Sequence, residues 1–154
     1  MKHGGVKEAW RVFMQAYEHQ AQYYETDQMG IIHHSNYIRW FESARIWYMG
    51  QVGVDYREME SQGVVSPVLE VSCTYKSMVR FGDVVEITPK IEKYNGVTLE
   101  LSYQIVDRET RELRTLGKSR HCFLGRDGKP LSLKKSYPAY DTAFRAAMAE
   151  SDRR

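Results

Sequence analysis

Two hydrophobic periods divide this chain. From Tyr37 to Tyr48 the large side chains Tyr37, Trp40, Phe41, Ala44, Trp47 and Tyr48 recur every three or four residues, while Arg39, Glu42, Ser43 and Arg45 fall largely between them. That spacing predicts an amphipathic helix. Ser35 or Asn36 can cap its start, and Gly50 or Gly53 can end it. A stripe so rich in aromatic rings needs a broad cover, such as a sheet. A shorter helical stretch follows from about Asp55 to Gln62 and stops at Gly63.

Elsewhere the period is two. Val12 to Tyr24 reads as an extended first strand, closed by Asp27-Gln28-Met29-Gly30, a type I turn signature with Asp first and Gly fourth. A strand region opens near Val64 and continues through Tyr75 and Lys76. Phe81-Gly82-Asp83 is a turn, and Val84 to Glu92 the next strand. Asn95-Gly96 is a hairpin signal. Leu99, Leu101, Tyr103 and Ile105 then alternate with polar residues, Arg108 to Arg111 is a polar turn, and Leu116 to Leu124 is the last strand. The remainder, 127–154, reads as a polar tail with a weak helical pattern from Asp141 to Glu150. The expected architecture is one α+β domain spanning 1–154, with a core over about 12–126: a long helix across one face of a curved antiparallel sheet of about five strands.

Composition narrows the function classes. The 154 residues can bury a real core. A net charge of +2 argues against a nucleic-acid footprint. No apolar run approaches the roughly 20 residues of a membrane span, and Met1-Lys2-His3-Gly4-Gly5 lacks the apolar core of a signal peptide. A cytoplasmic protein is expected, with Cys73 and Cys122 as simple thiols. The 11 tyrosines and 3 tryptophans suit strands, interfaces and flat ligand pockets.

Candidate chemistry concentrates just before the long helix. Asp27, Gly30 and the pair His33-His34 precede a helix start, where unpaired N–H groups and a partial positive charge gather. Such a start can hold a carbonyl oxygen while a nearby carboxylate attacks the carbonyl carbon or activates water. Asp27 also reads as an ordinary turn aspartate, and the two roles are compatible. Adjacent histidines in an extended segment point to opposite sides, so His33-His34 makes a poor metal pair. No metal or organic cofactor is required.

The stretch Tyr23, Thr26-Asp27, Gly30-Ile31-Ile32, His34, Asn36-Tyr37 and Trp40 to Arg45 resembles the hotdog-fold acyl-CoA thioesterases, in particular the 4-hydroxybenzoyl-CoA thioesterase family with its Tol-Pal-associated bacterial branch. Weaker similarity runs through Pro67 and through Val79 to Ile87. The resemblance implies a helix wrapped by a sheet, with homodimers or homotetramers whose active sites lie at the dimer interface. It places the catalytic carboxylate on Asp27, the N–H facing the thioester carbonyl on His34, and an assisting tyrosine on Tyr23. Gly30, Ile32, Asn36 and Tyr37 would contact substrate. The basic hairpin that grips CoA phosphates in some members is replaced here by Tyr94-Asn95-Gly96-Val97, which turns attention to Lys76, Arg80, Lys118 and Arg120. Other readings are a carrier-protein thioesterase, a non-catalytic acyl-thioester or partner-binding dimer, and a hydratase of the same fold. The hydratase motif Asp-x-Asn-Pro-x-His is absent.

Overall fold

The computed structural model describes residues 16–153. Met1 to Gln15, with the first part of the expected opening strand, lie outside them. Five antiparallel strands form one sheet in the order β1-β3-β4-β5-β2. Their ranges are β1 Tyr17–Gln20, β2 Val68–Tyr75, β3 Val84–Tyr94, β4 Thr98–Asp107 and β5 Leu113–Cys122. The helices are α1 His34–Gln51, α2 Tyr56–Ser61, α3 Leu133–Ser136 and α4 Pro138–Asp152.

α1 buries Tyr37, Trp40, Phe41, Ala44 and Tyr48, the stripe that the spacing predicts. Its start differs from expectation. The N-cap is His33, whose ring nitrogen accepts the Ser35 N–H at 3.2 Å, so Ser35 and Asn36 already lie inside the helix. At the far end Gly53 takes φ +97°, and the Val54 N–H returns to the Met49 carbonyl at 2.8 Å. That reversal needs a residue free of a Cβ penalty.

The inner face of β5 shows how tightly α1 lies on the sheet. Gly117 is covered by the Phe41 ring, which stacks on Tyr103 with centroids 4.5 Å apart. Beside it runs a buried polar chain. His121 Nε2 meets Ser119 Oγ at 2.7 Å, Ser119 Oγ meets Tyr103 OH at 2.6 Å, and Arg45 donates to that hydroxyl at 3.1 Å. Burial, helped by the Arg45 charge and partly opposed by a hydrogen bond to the Pro67 backbone, lowers the His121 pKa to about 4. The unfolded chain therefore binds more protons than the folded one between that value and the ordinary 6.5. Stability is expected to fall as pH drops through that window. A Tm series on wild type and His121→Gln checks this, and the variant should show the flatter slope.

Three expectations are corrected here. The opening strand stops at Gln20, and Tyr23–Glu25 form a single 3-10 turn. The hairpin after β3 centres one residue later than an Asn-Gly pair would: Asn95 N–H bonds the Thr98 carbonyl, and the Asn95 side chain takes the N–H groups of Val97 and Thr98. The C-terminal segment is not a polar tail. Leu133, Tyr140 and Phe144 are buried, and the Phe144 ring lies 5.2 Å from Tyr94 and 5.8 Å from Phe123. Its polar character in sequence reflects the outer side of α4, whose inner side completes the core.

Candidate active site

The segment between β1 and α1 folds back on itself. Asp27 N–H donates to the Ile31 carbonyl at 2.8 Å, and Gly30 N–H to the Asp27 carbonyl at 3.0 Å. Gly30 sits at φ +77°, a conformation costly for other residues. The Asp27 carboxylate accepts the Met29 N–H through Oδ1 at 2.8 Å. Its second oxygen has no protein partner among the described residues. The turn is thus rigid around a half-buried carboxylate with one oxygen available.

A cleft of about 300 Å³ opens beside this turn, lined by Asp27, Ile32, His34, Tyr37, Tyr75 and Lys76. Met29 and Met78, both largely exposed, also line it. His34 is the first residue of α1. The Ser35 and Asn36 N–H groups are taken by His33, whereas the His34 N–H has no acceptor among the described residues. The His34 carbonyl accepts the Tyr75 hydroxyl at 2.8 Å, pinning the helix start to the end of β2. Tyr37 and Tyr75 meet edge to face at 5.0 Å and wall the cleft. Burial raises both phenol pKa values, so both are neutral at physiological pH.

Asp27, His34, Ile32, Tyr37 and Lys76 therefore line one cleft. Other candidates stand apart. Tyr23 is 76% exposed and rests edge-on against Phe81 outside the lining, because the chain coils at Tyr23 instead of continuing as a strand. Asn36 is buried and turned inward, donating to the Glu25 carbonyl at 2.8 Å, which makes it a brace for the turn. Gly30 shapes the turn without lining the cleft. Arg80 pairs through its backbone with Ile31 at the turn's edge. His33 and His34 do not diverge: their rings stack at 4.2 Å, since the helix begins between them.

Lys118 and Arg120 lie on the opposite side of β5 from the buried chain, in a separate groove of about 390 Å³. There Arg120 pairs with Glu70 at 3.3 Å, and Glu92 and Glu100 offset Lys93 and Lys118. Within one chain this groove offers no net positive field for a diphosphate. Sequence reading missed Tyr75 and Glu25. Tyr75 closes an alternating strand, a position that points equally to packing. Glu25 stands inside the motif, yet its partners are scattered along the chain.

An antiparallel sheet laid on one long helix, with an acid-bearing turn at that helix's N-terminus, defines a hotdog-fold protein. The chain belongs to the thioesterase-like superfamily, whose profile matches residues 21–148. It is 34% identical over 131 residues to a Bacillus subtilis protein named "Putative acyl-CoA thioesterase YneP", covering 84% of this chain and 94% of that one. Escherichia coli "Acyl-CoA thioester hydrolase YbgC" is 27% identical over 118 residues, 76% of this chain and 88% of its own. Among solved structures, the DHNA-CoA thioesterase of Staphylococcus aureus superposes with a TM-score of 0.85 at 34% identity, covering 90% of this chain and 93% of that one.

Proposed function

We propose that the chain hydrolyses acyl-CoA thioesters in the cleft between the Asp27 turn and the start of α1. The enzyme is a thioester hydrolase, and the observation that carries the mechanism is the meeting in one cleft of a half-buried carboxylate and a helix N-terminal N–H with no acceptor among the described residues. The His34 N–H, backed by the helix dipole, polarises the thioester carbonyl and holds the charge that grows on its oxygen. Asp27 acts in one of two ways. As a general base it takes a proton from water while the water oxygen bonds to the carbonyl carbon. As a nucleophile it forms a mixed anhydride, which water then opens. In either case the C–S bond breaks, the sulfur leaves as thiolate and gains a proton, and the products are a carboxylic acid and CoA.

The phenol walls of Tyr37 and Tyr75 favour an aromatic acyl group, and the similar Staphylococcus aureus protein is named a DHNA-CoA thioesterase. Lys76, in the cleft lining, and Arg80, at the turn's edge, are the cations we assign to the CoA phosphates. A homodimer is supported by β2, a terminal strand whose Val68, Leu69 and Tyr75 are nearly half exposed. The cleft lies at the C-terminal end of that strand, so pairing of β2 with a second copy sets the active site at the subunit boundary. A CoA thioester substrate and two unpaired cysteines fit a cytoplasmic setting.

A hydrolysis panel of short, long and aromatic acyl-CoAs tests the reading, with the aromatic thioesters expected to be turned over best. Faster turnover of aliphatic chains would remove the aromatic assignment, and no turnover of any thioester would remove the function. His34→Ala is expected to keep at least about one tenth of wild-type kcat/KM, because the backbone donor survives the change. A loss as deep as that of an Asp27 variant would assign the work to the imidazole instead.

A further inference from the structure

Glu25 lies two residues before Asp27 and is only 6% exposed. Its carboxylate is gripped from three directions. Oε1 accepts the Gln22 N–H at 2.8 Å and meets His19 Nε2 at 2.9 Å, while Oε2 accepts Trp40 Nε1–H at 2.6 Å. Its main-chain carbonyl takes two more donors, the His33 N–H and the Asn36 side-chain amide, each at 2.8 Å. Burial works against the charge on Glu25, but the hydrogen bonds from His19, Trp40 and Gln22 outweigh it, so the carboxyl titrates below its ordinary value. A buried carboxylate held this way is fully satisfied and immobile.

The two halves of the proposed site belong to different elements. Asp27 rides on a turn, and the His34 N–H on a helix. Glu25 touches both sides of that division. Its backbone holds the cap residue His33 and the first-turn residue Asn36, and its side chain reaches Trp40 on the buried stripe of α1, 3% exposed. His19, from β1, leans on the same indole at 4.7 Å. We propose that Glu25 is a positioning residue that fixes the Asp27 turn to the start of α1 and so sets the carboxylate at its working separation from the His34 N–H. This rests on the thioesterase reading and names the part that holds its geometry.

The chemistry of the grip makes the role testable. The Gln22 N–H and the Trp40 indole N–H can only donate, so the group between them must accept on both oxygens. Glu25→Gln keeps the shape but turns an NH2 toward one of those donors. The turn must then shift, and a misplacement of about 1 Å can cost up to about 100-fold in rate. We expect Glu25→Gln to lower kcat at least about tenfold with KM within about twofold of wild type, measured on the best substrate of the panel, well below the variant's own Tm. Trp40→Phe, which removes one donor and keeps a ring in place, should lower kcat less, by about threefold or more, and carries the test if Glu25→Gln does not fold. The proposal is overturned by a folded Glu25→Gln with wild-type kcat, by a rise in KM alone, or by a loss that merely follows the unfolded fraction. If wild type is active and Glu25→Gln unaffected, only the role of Glu25 falls. If wild type hydrolyses no acyl-CoA, the thioesterase reading falls with it.

Discussion

Asp27→Asn is expected to lower kcat/KM at least about 100-fold, the size usual for a directly involved acid or base, with little change in Tm. The asparagine has the shape of the aspartate. Its carbonyl oxygen can still accept the Met29 N–H that holds Oδ1 at 2.8 Å, and the backbone bonds to Ile31 and Gly30 are untouched. The turn should therefore survive. What disappears is the charge and the basicity of the second oxygen, the one with no protein partner among the described residues. An amide neither takes a proton from water nor attacks a carbonyl carbon, so both routes open to Asp27 close together. Steady-state kinetics on the best acyl-CoA of the panel, with a thermal melt of the same preparation, reads both quantities. Turnover comparable to wild type would remove Asp27 from the chemistry. A non-catalytic acyl-thioester binder would show the same negligible turnover in both proteins.

The second large effect is on stability. Gly117→Ala places a methyl group 2.3 Å from two atoms of the Phe41 ring, where no side chain fits without movement. The ring has little freedom to yield. It is 1% exposed and stacked on Tyr103 with an interplanar angle of 16°. Either Phe41 leaves that stack or α1 lifts from the sheet. Overpacking of this kind costs about 1–3 kcal/mol, and for a domain of this size each kcal/mol lowers Tm by about 2–4 °C. A thermal melt with no shift would show that the helix and sheet do not approach so closely. Activity at low temperature gives a further readout, because a lifted α1 also carries the His34 N–H away from Asp27.

Much of the architecture is legible in the chain because it depends on neighbours in sequence. The stripe from Tyr37 to Tyr48 follows from a 3.6-residue period, and the alternation from Leu99 to Ile105 from a two-residue period. The Asp27–Gly30 turn follows from the demands of one backbone reversal, and Gly53 from those of a helix end. Boundaries were less legible. β2 begins at Val68, not near Val64, because Val65 is drawn into a separate bridge with Leu124. The cap fell to His33, since an imidazole nitrogen two residues from Ser35 can do what a hydroxyl usually does.

Asp27 and His34 were visible for a related reason: they are seven residues apart, joined by one turn. The rest of the site depends on distant partners. Tyr75 reaches the His34 carbonyl across 41 positions, and Trp40 reaches Glu25 across 15. No local period marks a tyrosine as a wall rather than a packing residue, or an acid as a brace rather than a surface charge. Tyr23 shows the converse. It holds the motif's position, yet the 3-10 turn swings its ring out against Phe81.

By itself, then, the amino-acid order determined the long aromatic helix, the antiparallel hairpins, the acid-bearing turn and the helix N-terminus beside it, since each is set by interactions spanning a few residues. Only the tertiary structure decided which side chains share the cleft, that Glu25 ties the turn to α1, and that Leu133, Tyr140 and Phe144 complete the core. These outcomes depend on which faces meet when the sheet closes over the helix, and that meeting is governed by packing between segments far apart in sequence.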